Sequence, residues 1–178
     1  PPDSTHIDEE GVLIDNFLLV EKGVLRDKET RALLGSGRYP CRNIEQNMAD
    51  LAAQIAANET GVSELRKMVR QFGLDVVQAY MKHVQDNAEE SVRRVLDRLQ
   101  DGRFVNHLDG GNRIQVDIRV DRGKREAVID FTGTSPQNRG NYNAPTAVCR
   151  AAVLYVFRTL VNDDIPLNEG CLKPLKII

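Results

Sequence analysis

The groups best suited to chemistry in this chain lie in one polar stretch, Phe131-Thr-Gly-Thr-Ser-Pro-Gln-Asn-Arg-Gly-Asn-Tyr-Asn-Ala-Pro145. Thr132, Thr134, Ser135, Asn138, Asn141 and Asn143 offer hydroxyls and amides, which donate and accept hydrogen bonds without titrating. Asp130, immediately before them, is a candidate acid/base or a cap on the stretch. The stretch feeds an apolar segment that reads as a helix. A helix start with free N–H groups favours anions, so phosphate or carboxylate binding is one reading. The other is a long loop that satisfies its own backbone through Asx and Ser/Thr turns. A second cluster surrounds His6, which stands among Asp3, Asp8, Glu9 and Glu10. It reads either as an acid/base or metal-proximal group or as a solvated acidic loop. His83 and His107 sit on a helix flank and before a turn, and no HxxH or HExxH spacing links the three histidines.

Other chemistries are excluded. There is no GxSxG, P-loop or GxGxxG, so neither a nucleophile elbow nor a nucleotide site can be built from this sequence. Cys41, Cys149 and Cys171 form no CxxC pair, which argues against a thiolate zinc site and a disulfide framework and fits a reduced, cytoplasmic setting. Twenty-four basic against twenty-six acidic residues give a net charge of −2, without the basic excess of a nucleic-acid surface. Trp is absent and aromatics make up 5%, too few for base-stacking platforms. The longest strongly apolar run, Ala151 to Phe157, is far shorter than the roughly 18–20 residues a bilayer span requires.

The elements that must position these groups read as α+β. Residues 1–42 should hold a loop over 1–10, an extended or strand segment from Gly11 to Val20, and a short helix to Leu34 with Asp27 as its N-cap. Residues 43–101 should form a long helical hairpin. Ile44, Met48, Leu51 and Ile55, then Val62, Leu65, Val69 and Phe72, repeat at helical spacing. After a break at Gly73, Val77, Met81, Val84, Ala88, Val92, Val95 and Leu99 do the same. Gly61 is expected to break or kink the first helix. Asn43, Asn47, Asp50, Gln54 and Asn58 make a polar stripe about 80° wide beside its apolar face. Such a stripe reads as buried polar contacts with another subunit or with more of the same chain, or as ordinary helix-flank polarity. Residues 102–178 should hold an antiparallel β-hairpin within 112–131, turning at Asp121-Arg-Gly-Lys124, then the polar loop and a largely buried third helix from Ala147 to Leu160. Leu175 to Ile178 reads as a strand cut short. Together with the Pro-Pro-Asp start, it suggests an internal piece of a longer protein.

Taken together, these segments resemble the hydantoinase B/5-oxoprolinase family. The resemblance rests on Pro1-Pro-Asp-Ser-Thr5 with Glu9-Glu-Gly11, Arg42-Asn43 with Gln46-Asn47 and Ala49-Asp-Leu51, and Gln54-Ile-Ala-Ala-Asn58 with Gly61. It continues through Asp130-Phe-Thr-Gly-Thr-Ser135, Asn141-Tyr-Asn-Ala-Pro145 and Ile165-Pro-Leu-Asn-Glu-Gly170. It covers the whole chain in order. The resemblance implies a B-type subunit or domain of an ATP-dependent hydrolase of cyclic amides, opening 5-oxoproline or hydantoin rings. ATP would be bound by a hydantoinase A-type partner of actin-like fold. It would also be a cytoplasmic protein and a homo-oligomer, with a divalent metal held mostly by a His- and Asp-containing segment that family members carry upstream of the Pro1 block. Asp130, Thr132, Thr134, Ser135, Asn141, Asn143 and His6 are then the substrate-side candidates, and this chain alone should be inactive. Acetone carboxylase alpha subunits are similar to this family and provide the alternative reading, as does a subunit-assembly module without catalytic residues.

Overall fold

The computed structural model describes residues 4–178, so the expected loop over residues 1–3 lies outside the described part. The chain divides into two compact units: one takes in residues up to Gln71 with Asn138–Asn143, the other Phe72–Gln137 with Ala144–Ile178.

In the first unit a 3₁₀ turn, Ile7–Glu9, precedes a segment that joins a ladder only at its end. There β1 (Val20–Glu21) pairs antiparallel with β2 (Val24–Leu25). The expected strand from Gly11 is thus irregular up to Leu19, interrupted at Asn16 with φ +47°, and pairs only from Val20. Helix α1 (Asp27–Leu34) follows, and Asp27 is its first helical residue rather than its cap. Arg26 precedes it without a side-chain cap bond and is used elsewhere. Its guanidinium donates to Leu18 O and stacks over the Phe17 ring, tying that segment to the helix start. Helix α2 (Ile44–Phe72) begins where Asn43 Oδ1 accepts the Gln46 N–H at 3.1 Å. It runs unbroken through Gly61, against the expected kink: a single exposed glycine costs a helix only about 1 kcal/mol relative to alanine, too little to break 29 residues. Of the first apolar set, Met48 is buried and Ile44, Leu51 and Ile55 are half-buried.

In the second unit Gly73 precedes α3 (Leu74–Leu96), so both long helices stand where their periodicity places them. The sheet is larger than the expected hairpin. β3 (Gly102–His107), β4 (Arg113–Asp121) and β5 (Glu126–Asp130) are successively antiparallel, and β6 (Leu175–Ile177) adds parallel to β5. β3 carried no strand signal, since every residue in it is exposed and polar–apolar alternation has nothing to report. Between β5 and β6 runs α4 (Thr146–Leu160), whose burial is one-sided. Val153 and Phe157 are buried, whereas Val148, Tyr155, Val156 and Leu160 are exposed, so the expectation of a largely buried helix holds for one edge only. Apolar content alone does not reveal whether neighbours exist to cover it.

The core joins Ala88, Val92 and Leu96 of α3, Ala127 and Ile129 of β5, Val153 and Phe157 of α4, and Cys171, Leu172 and Leu175. Each such aliphatic side chain contributes on the order of 1.5–3 kcal/mol by leaving water. The 3₁₀ turn Glu169–Leu172 comes so near α3 that a Cβ on Gly170 would lie 2.1 Å from the Gln85 carbonyl oxygen; only glycine allows this approach. At the β4–β5 turn, Arg125 reaches Glu90 and Asp97 of α3 and its end. Arg93 donates to the Lys124 and Arg125 carbonyls in return.

Candidate functional site

The polar loop begins where β5 ends but β4 does not. Strand pairing stops at Asp117↔Asp130, leaving Arg113 to Val116 without backbone partners on that side. The loop supplies them. Phe131 to Thr134 form a tight turn closed by Thr134 N–H to Phe131 O at 3.0 Å, with Gly133 at φ +97°. Thr134 Oγ1 then accepts the Gln115 N–H at 3.1 Å and donates to Gln115 O at 3.2 Å. Ser135 Oγ accepts the Arg113 N–H at 2.9 Å, while the Ser135 N–H reaches Arg113 O. The two hydroxyls therefore replace the missing strand. Thr134 Oγ1 both accepts and donates there, whereas the Ser135 hydroxyl, which only accepts, keeps its own hydrogen for another partner.

Gln115 is the residue that sequence reading missed. It sits at the polar parity of β4, where alternation predicts solvent, yet the loop covers it and its accessibility falls to 9%. Its Nε2 donates to Thr132 O at 2.8 Å and its Oε1 accepts from Arg103 at 3.0 Å. A Cβ on Gly133 would lie 2.6 Å from that Nε2, so the glycine is required by space as well as by φ. The signal that could have found this site is the Gly in Thr-Gly-Thr, a positive-φ residue between two groups able to bond a strand.

Asp130 is held as a carboxylate. Hydrogen bonds from Thr132, hydroxyl and amide, keep its carboxyl below the usual range, with the Arg119 guanidinium 2.9 Å away adding to the effect. Of its two sequence readings, the geometry favours the cap on the loop: an anion tied at both oxygens is a poor proton shuttle. Beyond Ala144, α4 opens at Pro145 with neither a side-chain cap bond nor an acidic residue in its first turn, leaving its dipole open to an anion.

Asn138–Asn143 belongs to the first unit. The half-buried Asn143 side chain closes this segment, accepting the Asn138 N–H at 3.0 Å and donating to the Asn138 and Gly140 carbonyls. Asn141 is exposed and also engaged. These contacts match the self-satisfying loop.

His6 caps the Ile7–Glu9 turn, Nδ1 accepting from Asp8 N, and lies 3.2 Å from the Asp8 carboxylate. The Thr5 N–H holds the Glu9 carboxyl below its ordinary range. An open groove runs from this turn to the start of α2. One end, about 480 Å³, is lined by His6, Asp8, Glu9 and Arg38. The other, about 600 Å³, is lined by Glu9, Glu10, Arg38, Tyr39, Arg42 and Asn47. The structure thus brings the His6 cluster and the head of the amide stripe onto one surface. Further along that stripe Asp50, Gln54 and Asn58 are exposed. The Ser4 hydroxyl, in the same unit, is buried with no hydrogen-bond partner among the described residues.

The implied metal and nucleotide do not fit the residues described. No three His, Cys, Asp or Glu side chains among them converge as a metal would require, and the sequence carries no P-loop run of glycines to cradle a phosphate. No helix among the described residues is long and apolar enough to cross a membrane.

An α+β scaffold with a strand-completing Thr-Gly-Thr-Ser loop narrows the class, and comparison with known proteins settles it. The family model described as Hydantoinase B/oxoprolinase matches residues 1–178, and the chain belongs to that family. Among curated relatives it is 44% identical to 5-oxoprolinase 1 of Arabidopsis thaliana, over 99% of this chain and 16% of that protein. It is 37% identical to the 5-oxoprolinase of Saccharomyces cerevisiae, over 99% of this chain and 15% of that protein. In fold it matches the ATP-dependent caprolactamase of Pseudomonas jessenii with a TM-score of 0.73 and 24% identity, covering 99% of this chain and 31% of the other. The chain thus spans about one sixth of the length of those two oxoprolinases.

Proposed function

We propose that the longer protein represented by this chain is an ATP-dependent hydrolase of cyclic amides, opening 5-oxoproline or a hydantoin with a hydantoinase A-type ATPase subunit or domain. The observation that carries this reading is the family match over all 178 residues, with relatives named 5-oxoprolinases at 37–44% identity. A lactam carbonyl is a poor electrophile, and ATP held by the A-type half would supply the phosphoryl group that activates its oxygen. This chain's residues shape and hold. Gln115, Thr134 and Ser135 fix the loop on β4, Asp130 and Thr132 cap it, and the uncapped start of α4 favours an anion. Thr132, Thr134, Ser135, Asn141, Asn143 and His6 remain the substrate-side candidates. A divalent metal would be held by residues outside this chain. The chain alone is inactive, the whole being a cytoplasmic homo-oligomer.

The test is ring opening of 5-oxoproline and hydantoin by the longer protein, with and without the A-type half and ATP, with the 178-residue chain as control. Product that depends on both ATP and the A-type half supports the reading. Absence of product from either ring overturns it, and ATP- and bicarbonate-dependent consumption of acetone instead would move the protein to the carboxylase branch.

A second role, in assembly, is favoured by the exposed apolar side chains of the long helices, among them Leu65 and Phe72 of α2 and Tyr80 and Met81 of α3.

A further inference from the structure

The groove of the first unit is chemically two-sided. Arg38 and Arg42 line it without a carboxylate in ion-pair range among the described residues, whereas Arg26 and Arg31 nearby are paired with Glu29, Asp27 and Glu45. The Arg38 guanidinium is carried over the Tyr39 ring at 5.4 Å, which restrains it without neutralising it. The same groove is also lined by Glu9, tied to the Thr5 N–H, and Glu10. Asn47, half-buried, adds an amide that can donate or accept. A groove lined by both guanidiniums and carboxylates, with no ion pair joining them among the described residues, suits a small molecule with an anionic carboxylate and a polar N–H. A ring amide that carries a carboxylate meets both demands; the same ring without the carboxylate meets one.

We propose that this groove is a carboxylate subsite, in which Arg38 and Arg42 hold the acid group of a ring acid such as 5-oxoproline while Glu9 and Glu10 face its N–H. The proposal rests on the cyclic-amide reading above and adds the part of the molecule that tells an acidic ring from a neutral one. Both arginines lie in the turn between α1 and α2, where composition reads only as a loop.

The test is calorimetric titration of the protein with 5-oxoproline and, separately, with 2-pyrrolidone, the same ring without its carboxylate. The protein is expected to bind 5-oxoproline at least about tenfold more tightly than 2-pyrrolidone, the size of one charge-assisted contact. Arg38→Gln and Arg42→Gln should each remove most of that difference and leave the 2-pyrrolidone affinity unchanged. Arg42→Lys should restore part of it, and Lys28→Gln, an exposed cation on α1, should change nothing. Thermal melts of each variant separate lost binding from lost fold. Equal affinity for the two rings, or arginine variants that bind 5-oxoproline as the parent does or lose both rings together, would overturn the proposal. Failure here is distinct from failure of the function. A protein that opens hydantoin yet ignores the carboxylate keeps its activity and loses this subsite. One that grips 5-oxoproline through the arginines but opens no ring keeps the subsite and loses the activity.

Discussion

At the scale of single residues, the loop is held by a contact that tolerates no extra atom. Gly133→Ala adds a Cβ at 2.6 Å from Gln115 Nε2 and also requires alanine at φ +97°. The amide must swing away, giving up its bond to Thr132 O and leaving a buried polar group unsatisfied. The expected loss is about 2–3 kcal/mol of stability, combining the positive-φ strain with an orphaned donor. Urea unfolding of the variant measures it; a loss under about 0.5 kcal/mol would mean that the contact is slack. Thr134→Ala removes a hydroxyl that serves two backbone groups of Gln115. It should cost about 1–2 kcal/mol and, in the longer protein, lower turnover while the complex with the A-type half still forms. Gel filtration decides that point: a complex that falls apart assigns the loop to assembly. The hydroxyls and amides were legible in the sequence as a polar cluster. Their partners were not, because Gln115 lies 19 residues from Thr134 at a position where alternation predicts solvent.

At the scale of elements, helical periodicity was the most legible feature, because Val77, Ala88, Val92 and Leu96 lie along one buried face of α3 and Met48 anchors that of α2. The short β1–β2 ladder and the wholly exposed β3 were illegible for the opposite reason: neither buries a face that alternation could mark. The start of α2 offers a direct test. Asn43 Oδ1 bonds the Gln46 N–H, so Asn43→Ala should destabilise the first unit by about 1 kcal/mol, read from its urea midpoint, whereas Asn43→Asp should be neutral. The clamp between α3 and the β4–β5 turn makes a pH prediction. Arg125 bonds Asp97 and Glu90, and its guanidinium holds both carboxyls below their ordinary range. A carboxyl whose folded pKa is depressed stabilises the fold above its unfolded pKa, about 4, and that contribution is lost as pH falls through the lower folded value. Stability should therefore be flat from neutral pH to about 5 and fall below about 4. The fall should be shallower in Arg125→Gln, in which these carboxyls titrate nearer their free values. Parallel slopes in urea melts across that range would remove the clamp from the account.

At the scale of the whole molecule, what stands out is how much apolar surface the fold leaves uncovered. On α2, Val62, Leu65 and Phe72 of the expected set are 41–54% exposed while Val69 is half-buried, and on β3 Phe104 is 66% exposed although its register partner, Val116, packs against the core. The second half of the α2 periodicity thus predicts a buried face that nothing among the described residues provides. A self-contained soluble domain rarely leaves such a stripe in water, and the curated oxoprolinases it matches are about six times longer. The isolated chain should therefore self-associate at micromolar concentration. Leu65→Glu or Phe104→Glu should shift it toward the monomer in sedimentation velocity without lowering its melting temperature, because neither side chain is buried in the chain itself. In the longer protein the same substitutions act differently: wherever these faces are covered, a buried unpaired carboxylate is strongly destabilising, so assembly or folding should fail. Asn47→Ala and Gln54→Ala extend the argument to the amide stripe. If the stripe is an interface, both should weaken association of the longer protein while leaving the unfolding free energy of the isolated chain within about 1 kcal/mol of the parent's. An isolated chain that is strictly monomeric, with Leu65→Glu silent in both forms, would show that the stripe is simply solvated, and the assembly role would fall.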